Sequence, residues 1–476
     1  MRIDMGEYLP KEAASRRITG DTQFMFQFYK PCFQFYAPGP LIDTCMSQAR
    51  LEKSLVAALH GCPLLLGQFE IHADQSITLD YDPQRGNMPT LEFQHVQLSF
   101  AELEARGFAY SLATEHGMGM AIPDGTIVRG FDQPMLMVKV SYLRDGGAAV
   151  FAMTNHVAFD GNAMFSFLAH WARCNKVLLQ EQAAEGVALP EELQTYETSL
   201  ITNTGNEPMT GPVEISVDAS RTPKEIATSI TRAVARSQIC ASVFGISTAH
   251  LARLKQQCMD SGVLGTGEWV STNNVLAAFV AQHVARANMD GLVYETGAWT
   301  LFQSLDMRRP LELPSRGLGS PIILAECRAL EHELTDSSRM PALARRVRQS
   351  IDAYSREYLQ NAMDWTNASY ARLARDGIRE PWRHFWFTAM NTNNRSVGVS
   401  CMNRIPIYDA DFGAGRPVMA RSFNPRPNYV IVFPGPSTAN SDYEELHLYV
   451  TLERPAMNAL RANPEWSNVC TLVSEF

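Results

Sequence analysis

His156 and Asp160 are the residues of this chain whose types and spacing could do chemistry. They lie in Ala149-Val-Phe-Ala-Met-Thr-Asn-His-Val-Ala-Phe-Asp-Gly-Asn-Ala-Met, where a run of β-formers ends at the histidine and Gly161 turns the chain towards a helix. Imidazole titrates near neutrality, so a histidine on a turn at a strand end can serve as a general base, worth ~10² to 10⁴-fold in rate. A hydroxyl or amine that surrenders its proton to His156 becomes a nucleophile. Asp160 has two readings: it contacts the imidazole, as in a serine-protease dyad, or it pairs with an arginine and braces the loop. The four-residue spacing favours the brace, because the side chain can fold back beneath the turn.

Several elements must hold that turn. Leu51, Leu55, Ala58 and Leu59 share one face of a predicted helix that stops near Gly61 and Pro63, after which Leu64 to Ile71 reads as a strand. Pro134 to Leu143 and Ala148 to Thr154 predict an antiparallel hairpin turning at Asp145-Gly146-Gly147. Phe165, Leu168, Trp171 and Ala172 form the buried stripe of the helix after the motif. The pattern fades from Gln180 to Pro223, which reads as a linker. Helices are expected near Ser247–Met259 and Thr272–Ala287, a strand over Thr300–Leu305, and helical structure over Met340–Arg375. The last 75 or so residues alternate strands (Tyr429–Phe433, Leu446–Leu452) with turns before a helix from Pro455. The expected organisation is 1–185, a crossover linker 186–223, and 224–476.

A second constellation lies some 250 residues downstream, in Ser400-Cys-Met-Asn-Arg-Ile-Pro-Ile-Tyr-Asp-Ala-Asp-Phe-Gly-Ala-Gly. Asp411-Phe-Gly-Ala-Gly is not a kinase element, since no His-Arg-Asp loop or glycine-rich strand precedes it. His-x-x-x-Asp-Gly and Asp-Phe-Gly-x-Gly, in this order and separation, resemble the two signatures of the BAHD acyltransferases. Weaker matches spread over nearly the whole chain: Leu51–Gly67, Ser271-Thr-Asn-Asn-Val-Leu-Ala-Ala-Phe and Asp306-Met-Arg308. The resemblance is nearest to the fungal trichothecene 3-O-acetyltransferase branch, which also tolerates a residue other than tryptophan inside Asp-Phe-Gly-x-Gly.

The resemblance implies an α/β fold of two chloramphenicol-acetyltransferase-like domains, each a mixed sheet with helices, and a channel at their interface. It implies transfer of an acyl group, acetyl by expectation, from acyl-CoA to a hydroxyl of a small lipophilic acceptor, without covalent intermediate, bound cofactor or metal. His156 is then the base. Asp160 pairs with Arg308, Gly161 starts the helix, and Asp411, Gly413 and Gly415 shape the domain interface away from the reacting atoms. Lys255 matches a position that meets CoA phosphates in relatives, though it also reads as a solvated helix lysine. Ser271 and Thr272, further CoA candidates, form a natural helix N-cap in any case.

Departures from the pattern matter. Asn155 replaces an additional histidine, and Ala414 replaces tryptophan. Met402 stands where plant members often carry a tryptophan whose N–H can donate to the tetrahedral oxyanion. One oxyanion-hole donor is worth ~2.7 to 4 kcal/mol, so Ser400, a backbone N–H or another side chain takes that role, or turnover is slow. His170 reads as structural, and His384 either packs or touches the acceptor. The aromatics of Phe24–Phe35 and Phe385–Phe387 suggest apolar lining. Two further readings accompany the leading one: an N-acyltransferase or carrier-protein-dependent condensation-like catalyst, and a member that has lost turnover and binds a partner.

Composition agrees with a folded catalyst. In 476 residues, 46% are hydrophobic and 19% charged, enough for two large cores. Net charge is −9 and the pI about 5.7, which disfavours nucleic acid or an anionic membrane as partner. Nine scattered cysteines without a Cys-x-x-Cys pair suit a reducing compartment. Met1-Arg-Ile-Asp-Met-Gly-Glu-Tyr carries acids and no apolar stretch, so a secretory signal is not expected, and no uninterrupted run approaches the ~20 apolar residues of a membrane span. A monomeric cytoplasmic protein is the expectation.

Overall fold

The computed structural model of the chain describes residues 10–18, 29–84, 87–121, 134–179, 215–217, 239–292, 297–387, 395–423, 426–436 and 443–475. Two mixed sheets dominate. The first has five strands in the order Met419–Ser422, Tyr29–Tyr36, Ala148–Asn155, Leu136–Tyr142 and Thr90–His95. The predicted hairpin is at its centre: Leu136 pairs with Thr154 and Tyr142 with Ala148, and Gly146 supplies the positive φ of +85° that the turn requires. The second has seven strands in the order Ile322–Ala329, Trp299–Asp306, Ser396–Cys401, Tyr429–Pro434, Glu445–Glu453, Ile239–Ser247 and Thr471–Glu475.

Strand alternation gives the second sheet two distinct faces. Leu301, Val397, Val399, Val430, Val432 and Leu448 point into a core capped by the helix Thr272–Gly291 and its neighbours. Phe302, Tyr429, Ile431, Phe433 and Tyr449 point the other way, into a cluster shared with Phe165, Met402, Tyr408 and Phe412. This second face meets the half of the molecule that carries His156. The Phe165 and Phe433 rings touch edge-on across the seam, 6.1 Å between centroids.

Two expectations are corrected. Leu64–Leu66 is a 3₁₀ turn, because Pro63 presets its first φ; the strand begins at Gln68. Met340–Arg375 is two helices, Met340–Asp352 and Arg356–Arg375, since the Ser355 side chain caps a new start by accepting from the Tyr358 N–H. Met419–Ser422, far into the second half of the sequence, pairs with Cys32–Phe35, so the second half lends a strand to the first sheet. Most of the linker 186–223 lies outside the described residues, but Ile215–Val217 is a strand paired with Phe385–Phe387.

Candidate active site

The Ala148–Asn155 strand is buried along its length and delivers His156 to a turn. Asn155 builds that turn. Its side-chain oxygen accepts the Val157 N–H at 3.0 Å and its carbonyl accepts the Phe159 N–H at 3.0 Å. Asp160 then starts the helix Gly161–Leu179, its Oδ1 accepting the Ala163 N–H at 2.8 Å. Gly161 packs closely on the next element: a Cβ there would lie 2.2 Å from the Met402 methyl, the far end of a flexible side chain that would have to swing aside. Met402 thereby brings the end of the Ser396–Cys401 strand against the start of the motif helix.

His156 is 3% exposed. Burial holds its pKa well below the ordinary histidine value, and the neighbouring Lys30 ammonium pushes the same way. The ring is therefore neutral near pH 7, able to accept a proton although weakened as a base. Its Nδ1 lies 3.2 Å from the Ser320 Oγ.

Asp160 turns away from the ring and meets Arg308 in a buried fork. The guanidinium donates to Oδ2 at 2.6 Å and to Oδ1 at 3.0 Å. The same guanidinium donates to Asp306 at 3.1 Å, to the Gly317 carbonyl at 2.9 Å and to the Gly319 carbonyl at 3.3 Å. The Asp160 N–H also donates to the Gly319 carbonyl, at 2.8 Å. Arg16 reinforces the junction, donating to the Leu318 and Ala158 carbonyls at 3.4 Å each. The loop between Asp306 and Ile322 is thus stitched to the His156 turn.

The Asp411 loop docks on the other end of the motif helix. Asp411 pairs with Lys176 at 2.5 Å and accepts the Gly413 and Gly415 N–H groups at 2.9 and 3.1 Å. Burial alone would raise its pKa, but these partners outweigh that and hold it below the usual carboxylate value. Gly413 and Gly415 have φ near +105° and +103°, where side chains are strained. Phe412 is fully buried, edge-on to Trp171 at 4.8 Å, and its carbonyl accepts from Asn175 at 2.6 Å. The Tyr36 hydroxyl donates to the Ala410 carbonyl at 2.8 Å.

A model of the Transferase family matches residues 112–467, some three-quarters of the chain. The chain belongs to that family, the BAHD acyltransferases. This BAHD chain is 26% identical over 207 residues to an O-acyltransferase, pigD, of Monascus ruber, covering 42% of this chain and 41% of that protein. It is 25% identical over 410 residues to a hydroxycinnamoyl-CoA:5-hydroxyanthranilate N-hydroxycinnamoyltransferase, HHT1, of Avena sativa, covering 82% of each. For the first few of its curated relatives, the matched region spans only about two-fifths to three-fifths of their length. TRI101 of F. sporotrichioides, solved with coenzyme A and T-2, shares the fold at a TM-score of 0.76 and 17% identity, over 97% of this chain and 100% of that one. Vinorine synthase superposes at 0.63 with 17% identity, over 96% and 94%. The expected α/β architecture of two chloramphenicol-acetyltransferase-like halves is the architecture found.

Other candidate residues of this BAHD chain fall in two groups. Ser400 is buried on the face of the seven-stranded sheet that meets the His156 half, in register with Ile431 and, beyond it, Tyr449. Asn403, three residues on, pairs with Asn273 at 3.3 to 3.4 Å, which ties the start of the Thr272–Gly291 helix to the same loop. Ser271 is spent on a capping box with Asn274, and Thr272 is half-buried beside it. Lys255 is half-buried on the helix Thr248–Asp260, in the outer layer on the sheet's other side. A cavity bounded by Ala277, Leu301, Cys327 and Val399 also lies on that helix-covered side, apart from His156.

His170 is buried with its Nε2 3.6 Å from the Cys174 Sγ, its pKa pulled to about 4 by burial and then by Arg173. His384 is buried in the turn Pro381–His384. Phe33 and Phe35 are fully buried inside the first half's own aromatic core, while Phe24 lies outside the described residues. Sequence reasoning missed Ser320 and Arg16. Arg-Gly-Leu-Gly-Ser-Pro at 316–321 reads as a turn, but nothing in it names a partner 164 residues away. Among the described residues no cluster of His, Cys, Asp or Glu could hold a metal ion, and no helix is long and apolar enough to cross a membrane.

Proposed function

We propose that the protein is an acyl-CoA-dependent O-acyltransferase in which His156 is the general base. The observation that carries this reading is a buried imidazole at the junction of the two halves, with its neighbouring carboxylate committed to Arg308 and not to the ring. His156 takes the proton of the acceptor hydroxyl as that oxygen attacks the thioester carbonyl. The C–O bond forms, the carbonyl π electrons move onto oxygen, and the tetrahedral oxyanion collapses with cleavage of the C–S bond. The CoA thiolate leaves and takes up the proton from the imidazolium. Family membership and the fold shared with TRI101, which was solved with coenzyme A, support the acyl-CoA donor. Acetyl is the proposed acyl group and a small lipophilic secondary metabolite the proposed acceptor.

Asp160 and Arg308 act as a structural clamp, and Asp411, Gly413 and Gly415 hold the seam. Ser400 is the proposed oxyanion donor, supported by its place on the inward sheet face two residues before Met402. Lys255, Ser271 and Thr272 remain the proposed CoA contacts. Residues 1–185 and 224–476 are the proposed domains, and the protein is proposed to work as a cytoplasmic monomer. N-acylation is the second reading, favoured by relatives named for N-hydroxycinnamoyl and N-benzoyl transfer.

The test is incubation of the purified chain with a panel of acyl-CoAs and candidate alcohols and amines, with products and free CoA thiol measured. Acyl transfer is expected to fall ~10²-fold or more in His156→Ala with the thermal transition retained. Undiminished transfer in that variant would falsify the general-base assignment. Products formed from amines but not from alcohols would move the assignment to N-acylation.

A further inference from the structure

A neutral imidazole has one N–H and one lone pair, and only the nitrogen bearing the lone pair can accept a substrate proton. The orientation of His156 is therefore half the problem; its tautomer is the other half. Nδ1 lies 3.2 Å from the Ser320 Oγ, with the serine fully buried and the histidine nearly so. A serine hydroxyl can accept from Nδ1–H or donate to a bare Nδ1, and the two choices have opposite consequences. In the first, Nε2 carries the lone pair and works as a base. In the second, Nε2 holds the hydrogen and the site cannot start the reaction.

We propose that Ser320 is a positioning residue that accepts the Nδ1–H of His156 and so leaves Nε2 as the proton-accepting atom. The chemistry asked of the ring fixes the choice: Nδ1 faces the buried Ser320 and Asp160 is committed to Arg308, so Nε2 is the nitrogen left to meet the acceptor, and it can take a proton only when the hydrogen sits on Nδ1.

The surrounding contacts explain why a serine on a loop can do this. Gly317, Leu318 and Gly319 all have their carbonyls taken: by Arg308, by Arg16, and by Arg308 with the Asp160 N–H. Beyond the serine, the Pro321 carbonyl accepts the Met307 N–H at 2.8 Å. Ser320 is thereby fixed from both sides. The Asp160–Arg308 pair gains a chemical purpose, since it reaches the ring through Ser320 without touching it. This inference rests on His156 being the base proposed above.

The experiment labels the full-length protein with ¹⁵N-histidine and records two-bond ¹H–¹⁵N correlations of the imidazoles near neutral pH. The His156 signals are assigned by their loss in His156→Gln. The wild type is expected to show the Nδ1–H tautomer. Ser320→Ala and the near-isosteric Ser320→Cys are expected to shift the ring towards Nε2–H and lower kcat about tenfold or more, with KM for both substrates within about twofold. The cysteine variant guards against an alanine variant that fails to fold. An Nε2–H ring in the wild type overturns the proposal, and so does an unchanged tautomer with unchanged kcat in the serine variants. Acyl transfer that survives in His156→Ala sinks the base assignment instead, while the spectra still decide what Ser320 does to the ring.

Discussion

Replacing Arg308 by methionine removes six side-chain hydrogen bonds at once: two to Asp160, one to Asp306, two to the Gly317 carbonyl and one to the Gly319 carbonyl. Methionine fills most of the space but leaves the Asp160 carboxylate, whose side chain is 5% exposed, buried beside the Ala163 N–H with no cation. Breaking a buried pair from one side costs about 3 to 5 kcal/mol, because the stranded charge keeps its desolvation penalty. Unfolding entropy of roughly 2.1 cal/mol/K per residue means that, for a chain of this length melting as a unit, each kcal/mol lowers Tm by about 1 °C. Arg308→Met is therefore expected to melt about 3 to 5 °C below wild type in a thermal scan near neutral pH. The double variant Asp160→Asn/Arg308→Met, which has no stranded charge, should recover part of that loss. Raising salt from about 0.05 to 0.5 M should leave the difference nearly unchanged, since a buried pair is poorly screened. A single variant within 1 °C of wild type (roughly the resolution of the scan), or a double variant no more stable than the single, would refute the clamp.

Three other perturbations test separate parts of the molecule. Phe412→Ala empties the space beside Trp171 and Tyr36 and should destabilise by about 3 to 5 kcal/mol, read as a lower urea midpoint; a midpoint within error of wild type contradicts the docking described for the Asp411 loop. Gly161→Ala drives a Cβ to 2.2 Å from the Met402 methyl and pushes that side chain off its rotamer, so it should destabilise by about 0.5 to 1.5 kcal/mol and be largely relieved in a Met402→Ala background; additive losses argue against that contact. Acid should weaken the fold before carboxylates titrate. His156, His170 and His283 all have folded pKa values depressed first by burial, the latter two to about 4, whereas the unfolded chain takes up protons near 6.5. The stability they contribute is present above about pH 6.5 and lost as pH falls towards 4, so Tm should fall across that window; a flat profile is the contrary result.

The chemistry was legible where it depends on local pattern. A strand that runs into His156, a turn, and an apolar stripe at Phe165, Leu168 and Trp171 together announce a residue presented at a strand end. Asp411-Phe-Gly-Ala-Gly was legible as a tight loop, and Gly413 and Gly415 do occupy backbone conformations that side chains resist. Boundaries were harder wherever a cap competes with periodicity, as at Ser355, where continuous helical spacing conceals a break. Phe33 and Phe35 show the limit of composition: aromatics that read as ligand lining are packed into the core of their own half.

What local sequence determined, then, is which residues carry the chemistry and the turn that displays them, because turns, caps and strand ends depend on neighbours within a few positions. Which partner most of these side chains meet was decided only by tertiary structure; the Asp160–Arg308 pair alone was implied beforehand, by the family resemblance. Asp160 faces Arg308 across 148 residues, His156 meets Ser320 across 164, and Lys176 meets Asp411 across 235. Strand Met419–Ser422 joins a sheet whose other strands all come from the first third of the chain. Such contacts arise because each half presents one apolar sheet or helix face that must be covered, and burying those faces against each other brings the polar groups at their edges into reach.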